Sequence, residues 1–341
     1  MYSNEKKINR IFLYWLFISL ILVFLIIIVG GLTRLTDSGL SITEWELFKG
    51  LLPPFSENSW DKYFQAYKKI PQYKLLNSNM TINEFKIIFY WEYFHRMIAR
   101  LIGLFFLVPL IYFYFSNKIK SNYLNICFLI LLLIILQGII GWFMVQSGLV
   151  NNTTVSHYRL SIHLSTAIII ISSIYWLILN ASSKQYKSFF KFSNKNFPFQ
   201  ILILLILFQI IMGAFVSGLD AGRIYQTWPM MGANFLPNDY SFVSFHSLFE
   251  LNSHSLVQFY HRNLAYLIII YVISLTIFIY KKKMQNLYFP LKFLLFFLFF
   301  QVILGIFTLV SGLNIYLASA HQITSVLLVF SSLNLYYFRA K

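Results

Sequence analysis

The sequence predicts an all-α integral membrane protein whose eight transmembrane helices form two pseudo-symmetric four-helix bundles. Three observations carry that expectation. Hydrophobic residues make up 58% of the 341 positions and charged residues only 11%, against roughly 25% charged in an ordinary soluble domain. Apolar runs of about 20 residues, long enough to cross a hydrocarbon layer of about 30 Å as helix, recur along the chain. The motifs of the first four runs then reappear, in order, in the next four.

The expected spans lie near 11–33, 88–115, 122–146, 160–180, 198–217, 257–280, 287–311 and 316–338. The first run is too long for a signal peptide and no small-residue cleavage site follows it, so it is expected to remain as a span. Basic residues gather in alternate connections: Lys6, Lys7 and Arg10; Lys118 and Lys120; Lys184, Lys187, Lys191 and Lys195; Lys281, Lys282 and Lys283; Arg339 and Lys341. By the positive-inside rule these segments and both termini are cytoplasmic. Of the eleven acidic residues only Glu5 falls on that side. The net charge of +16 therefore reports topology rather than nucleic-acid binding. Cys127, within the third run, is the sole cysteine, which excludes an intramolecular disulfide and a cysteine metal cluster.

The repeat divides the chain into an N-terminal half, 1–180, and a C-terminal half, 181–341. Gly31 through Gly39 after the first span echoes Gly213 through Gly222 after the fifth, and each leads to a Leu-Pro, at Pro53 and Pro237. Glu92-Tyr93-Phe94-His95-Arg96 matches Gln258-Phe259-Tyr260-His261-Arg262. Gln137, Gly138, Gly141 and Ser147-Gly148-Leu149 match Gln301, Gly305 and Ser311-Gly312-Leu313, and His163 matches His321. Such parallel repeats relate two halves about an axis along the membrane normal. The small residues of spans three and seven read most simply as points of close helix approach. The longer stretch between Pro53 and His95, with Trp60, Tyr63 and Tyr67, reads as an external amphipathic segment lying on the bundle.

Four of the seven histidines, His95, His163, His261 and His321, stand at the outer ends of even-numbered spans. An ionisable residue in a span is costly and points to function. Alone, any of them can simply hydrogen-bond a neighbouring helix; a pair repeated in each half points instead to bis-histidine axial ligation of haem iron inside a four-helix bundle. Zinc or copper would call for cysteine, methionine or acidic partners that do not accompany both pairs. Arg96 and Arg262, beside the ligand candidates, are placed to pair with haem propionates, or to snorkel to the interface. His157, His246 and His254 read as surface histidines of external loops.

The halves differ where chemistry would be expected: Glu92 stands three residues before His95, and Gln258 stands three residues before His261. Positions i and i+3 share a helix face, so Glu92 should face the same cavity as the ligand, where a carboxylate can take up a proton or stabilise developing positive charge. The same helix also allows an ion pair from Glu92 to Arg96. One haem is then expected to be a reactant and the other an electron-transfer cofactor.

These residues resemble the haem A synthase family. The likeness runs from Gly30-Gly31-Leu32-Thr33-Arg34 through Trp45, the Glu92 to Arg96 motif, Gln137-Gly138, Gly141 and His163, and on through Gln226-Thr227-Trp228-Pro229-Met230-Met231-Gly232, His261-Arg262 and His321-Gln322. The resemblance implies oxidation of the C8 methyl of haem O to a formyl group, with oxygen from water and electrons leaving through haem b. It implies that His95 and His163 face the substrate haem, that Glu92 is the catalytic carboxylate, and that His261 and His321 ligate the iron of haem b. It also implies dealings with haem O synthase and cytochrome oxidase assembly factors, and a quinone or other electron acceptor. The short N-terminus bearing Glu5 lacks an Arg-rich transit peptide, so a bacterial inner (plasma) membrane is expected. Some members carry a cysteine pair in an external loop of the first half; this chain has none there and is more similar to the mitochondrial and alphaproteobacterial branch. Two other readings stay open at the level of sequence: a di-haem b-type membrane electron carrier, and a transporter built on parallel repeats.

Overall fold

The computed structural model describes residues 10–44, 49–150, 152–183, 185–189, 191, 193–239, 247 and 249–340. Glu5, Lys6, Lys7, Trp45, Lys184, His246 and Lys341, all named above, lie outside them. The helices are α1 (Arg10–Leu35), α2 (Glu57–Tyr67), α3 (Pro71–Leu75), α4 (Ile82–Ser116), α5 (Ser121–Val150), α6 (His157–Ser183), α7 (Phe197–Gly218), α8 (His254–Lys281), α9 (Tyr288–Val310) and α10 (Ile315–Arg339). All but α2 and α3 are long and apolar enough to cross a membrane, eight in total among the described residues. Extended pairing among those residues is limited to one isolated bridge, Met231 with Asn234. The chain is a multi-pass, all-α membrane protein.

The chain separates into two compact units, Met1–Lys184 and Gln185–Lys341. In the first, α1 packs on α4 and α6, and α5 closes the ring against the same two helices. In the second, α7 packs on α8 and α10, and α9 closes the ring in the same way. A four-helix ring of this kind places side chains from facing helices in a common interior.

Helix ends are set by caps rather than by hydropathy, and here the structure departs from the expected spans. α4 begins at Ile82, well before the apolar run, because Thr81 and Glu84 form a capping box: the Thr81 hydroxyl accepts from the Glu84 N–H, and the Glu84 carboxylate accepts from the Thr81 N–H at 2.8 Å. It ends at Asn117, whose φ of 51° is the left-handed conformation that asparagine tolerates better than most residues. α8 is capped by Ser253, and α10 by Asn314, whose side-chain oxygen accepts from the N–H groups of Tyr316 and Leu317. His157 and His254 are thereby the first residues of α6 and α8, not loop residues. His254 is exposed, whereas His157 is partly buried with its ring 4.3 Å from that of Tyr158.

In the first unit, α2 turns Trp60, Phe64 and Tyr67 inward against Leu40, Ile70, Phe85 and Phe89. The buried Tyr67 hydroxyl donates to Gln72 Oε1 at 3.0 Å and accepts from Asn77 Nδ2 at 2.8 Å, while Gln72 Nε2 donates to the Asp37 carbonyl at 3.0 Å. Burial raises the Tyr67 pKa above its ordinary value, which keeps the hydroxyl a donor. This network ties α2, α3 and the turn after α1 together over the start of α4. In the second unit, the chain entering α7 is held by Lys187, which donates to the Tyr337 carbonyl at 3.0 Å, and by the Tyr336 hydroxyl, which donates to the Phe189 carbonyl at 2.7 Å.

Candidate functional site

Each of the four paired histidines lies against a glycine of the preceding membrane helix. A Cβ built on Gly30 of α1 would stand 2.9 Å from His95 Cε1, on Gly141 of α5 3.0 Å from His163 Cε1, on Gly213 of α7 3.2 Å from His261 Cε1, and on Gly305 of α9 2.8 Å from His321 Cε1. Carbon atoms in contact sit at about 3.5–4.0 Å, so glycine is what lets the imidazole reach the backbone. The small residues are more than points of helix approach: Gly141 and Gly305 make room for rings, whereas Gly138 faces open space. All four rings are partly buried.

Three of the four rings also meet a glutamine. Gln137 Nε2 lies 3.3 Å from His163 Nε2, Gln209 Nε2 lies 3.4 Å from His261 Nε2, and Gln301 Nε2 lies 3.3 Å from His321 Nε2. The first two amides also donate to their histidine's own backbone carbonyl, each at 3.0 Å. His321 Nδ1 is 3.1 Å from the Gln301 carbonyl. A carbonyl only accepts, so that hydrogen bond puts the proton on Nδ1 and the lone pair on Nε2, the state in which an imidazole binds metal. The Nδ1 atoms of His95 and His163 are buried without a hydrogen-bond partner. Gln209 was not singled out from the sequence. The available signal was the pattern Gln-x-x-x-Gly, which places the amide one helical turn before the glycine at 137–141, 209–213 and 301–305.

Glu92 is 2% exposed and fully satisfied. Its Oε2 accepts from the Ser41 hydroxyl at 2.7 Å and the Ile42 N–H at 2.9 Å. Its Oε1 accepts from Arg96 Nε at 3.1 Å and Nη2 at 2.6 Å. The ion pair allowed by the i, i+4 spacing is thus formed, and none of the four hydrogen bonds comes from His95. Such a set of donors satisfies both oxygens of the buried carboxylate, with Arg96 as its counter-charge. Arg96 Nη2 also donates to the Ile42 carbonyl at 3.0 Å.

At Gln258 the polarity is reversed. Its Nε2 donates to the Tyr225 carbonyl at 2.9 Å, while its buried Oε1 finds no donor. Arg262, without a carboxylate beside it, turns to carbonyls: Tyr225 at 2.8 Å, Thr227 at 2.9 Å and Met230 at 3.2 Å. Its Nε is buried and unpaired, where Arg96 Nε has Glu92. The Thr-Trp-Pro-Met-Met-Gly segment supplies two of those carbonyls, Thr227 and Met230, as a closed turn. The Thr227 hydroxyl donates to the Met230 carbonyl and accepts from the Gly232 N–H, both at 2.8 Å, and Gly232 takes a φ of 72° that disfavours any side chain.

Two imidazoles from opposite helices of each unit's ring, all backed by glycine and three of the four touched by an amide, fit the axial ligation of an iron macrocycle. Among the described residues no group of three or more His, Cys, Asp and Glu side chains is placed to hold a metal ion, so the donors come in pairs rather than as a tetrahedral set.

Residues 13–333 match the family model COX15-CtaA, cytochrome oxidase assembly protein. The chain is 48% identical over 336 residues to a protein of Pelagibacter ubique named Heme A synthase, covering 97% of each. It is 41% identical over 323 residues to the Heme A synthase of Rickettsia felis, covering 92% of this chain and 94% of that one. To the Heme A synthase of Flavobacterium johnsoniae it is 36% identical over 336 residues, 95% and 96% of the two chains. With a match over nearly its whole length, this eight-span chain belongs to the COX15-CtaA family of cytochrome oxidase assembly proteins.

Proposed function

We propose that the chain is a haem A synthase that oxidises the C8 methyl of haem O to a formyl group. His95 and His163 hold the substrate haem, and His261 and His321 hold a haem b that relays electrons. The names of the relatives support the overall reaction. The observation that carries the assignment of the two units is the exchange of Glu92 for Gln258 beside otherwise similar histidine pairs.

The stoichiometry sets what the residues must do. Converting a methyl to a formyl with water as oxygen source gives R–CH3 + H2O → R–CHO + 4 H⁺ + 4 e⁻. Protons must leave, and a buried carboxylate one helical turn from a ligand can accept them, whereas an amide cannot. The donors on Glu92 fix the carboxylate in place, and Arg96 offsets the charge that a buried anion brings. The bound haem b supplies the one-electron chemistry that carries the electrons to an acceptor such as a quinone. Arg96 and Arg262 stand beside the ligands as propionate partners, Arg262 with a buried Nε–H that no protein group accepts. The basic connections support a topology with both termini cytoplasmic; a bacterial inner membrane is the proposed location, with haem O synthase and oxidase assembly factors as the expected neighbours.

A di-haem electron carrier is favoured by one observation, the saturation of Glu92 by structural hydrogen bonds. Haem extraction from a host producing haem O, with this protein and with Glu92→Gln, separates the two. Haem A appearing with the native protein and lost with the variant, while haem b remains bound, supports the synthase. Haem O left unconverted by a folded, haem-loaded native protein overturns it.

A further inference from the structure

The glutamines form a series with one member missing. Gly141, Gly213 and Gly305 are each preceded by glutamine at the fourth residue back, and each of those amides reaches the histidine that packs on the glycine. Gly30 packs on His95 in the same manner, yet the residue four before it is Ile26. An isoleucine side chain has no hydrogen to donate. His95 Nδ1 is moreover buried without a partner, while His321 Nδ1 has the Gln301 carbonyl. His95 is therefore held by packing alone.

We propose that Gln137, Gln209 and Gln301 are positioning residues for the histidines they touch, and that Ile26 leaves His95 as the exchangeable ligand of the first unit. The argument rests on the haem reading above. For Gln137 and Gln209, the amide anchored on the histidine's backbone carbonyl at 3.0 Å keeps a fixed place beside the ring edge. For Gln301, the backbone carbonyl on Nδ1 and the amide near Nε2 bracket the ring from one residue. The contacts to Nε2, at 3.3 to 3.4 Å, are long and easily surrendered to a metal. The glutamines thus restrict the rotation of the imidazole without blocking it. A partner on the ring nitrogen that does not bind metal is worth roughly 10- to 100-fold in metal affinity, and the Gln301 carbonyl on His321 Nδ1 is of this kind. A resident haem benefits from two such ligands. A substrate that must enter as one haem and leave as another is served by one fixed ligand, His163, and one mobile ligand, His95.

The test uses purified full-length protein loaded with ferric haem b at both sites, haem b standing in for the substrate at the first. Release is followed by transfer to excess apomyoglobin, together with the low-spin electron paramagnetic resonance signal of each site. The native protein should lose haem in a fast and a slow phase. Ile26→Gln should slow the fast phase roughly 10-fold, and Gln137→Met should quicken it. Gln209→Met should quicken the slow phase severalfold and shift the low-spin g values, with packing volume nearly kept; Gln301→Met, which keeps the residue 301 carbonyl on His321 Nδ1, should do so to a smaller extent. An unchanged fast phase in Ile26→Gln that still carries its slow-phase haem overturns the proposal, as do unchanged g values and release in both methionine variants of the second unit. If the native protein takes up haem without any low-spin bis-histidine signal, the haem-ligand reading itself fails, a result distinct from the others.

Discussion

Arg96 closes on Glu92 through two nitrogens of its guanidinium, Nε at 3.1 Å and Nη2 at 2.6 Å, whereas Arg262, at the matching place in the second unit, finds only backbone carbonyls. The two arginines look interchangeable in sequence and are not so in structure. Removing Arg96 strands a buried carboxylate, which costs about 3–5 kcal/mol. Removing Arg262 leaves carbonyls that can relax or meet water. Arg96→Met should therefore lower the thermal midpoint in detergent well below that of Arg262→Met, and equal midpoints would contradict the asymmetry.

The glycine contacts predict a graded response. Alanine at Gly305 would bring its Cβ to 2.8 Å from His321, so the ring must move, whereas at Gly213 the 3.2 Å contact with His261 asks only for a small adjustment. Gly305→Ala should displace the low-spin signal of the bound haem more than Gly213→Ala. The opposite order, or no shift in either, would show that these glycines do not set the ring positions.

Tyr67 joins α2 to α3 through a fully buried hydroxyl. Tyr67→Phe leaves the amides of Gln72 and Asn77 short of a partner, at about 1–3 kcal/mol. Limited proteolysis of residues 53–80 should accelerate, with little change in the membrane helices. Unaltered proteolysis would mean that packing around Trp60 and Phe64 alone holds the segment.

The hydrogen bond from Tyr225 to Asp239, at 2.7 Å, defines a pH window for the loop after α7. Burial works against the Asp239 anion, but hydrogen bonds from Ser255 and Tyr225 outweigh it and hold its pKa below the ordinary 3.8. The stability this contributes is present above the ordinary value and lost as pH falls through the lower native one. Tyr225 is shifted upward by the same hydrogen bond, so its share is present below about pH 10 and lost as pH rises through the higher native value. Amide exchange across residues 225–239 should thus be slowest between these limits, and Asp239→Asn should remove the acid-side dependence.

Much of this was legible in the sequence because each signal was local or repeated. Apolar runs mark spans regardless of neighbours, and the i, i+4 spacing announces the Glu92 to Arg96 pair. Ser41 and Ile42, which complete the shell of Glu92, come from about fifty residues away, and no spacing rule reaches that far. The start of α4 was missed because capping by Thr81 extends a helix past its apolar part. Gln209 was overlooked because, without His261 in view, a lone amide in a span reads as an ordinary polar residue.

The backing of each imidazole by a bare α-carbon reverses the usual order of mutational tolerance. In an ordinary core, alanine is the mild replacement and bulk is the harsh one, because neighbours can lean into space or out of it. At Gly30, Gly141 and Gly305 the first added carbon already meets a ring at or within 3.0 Å, so alanine and leucine differ little in kind. A saturation scan would show these positions as steps rather than slopes: glycine on one side, and every other amino acid on the other.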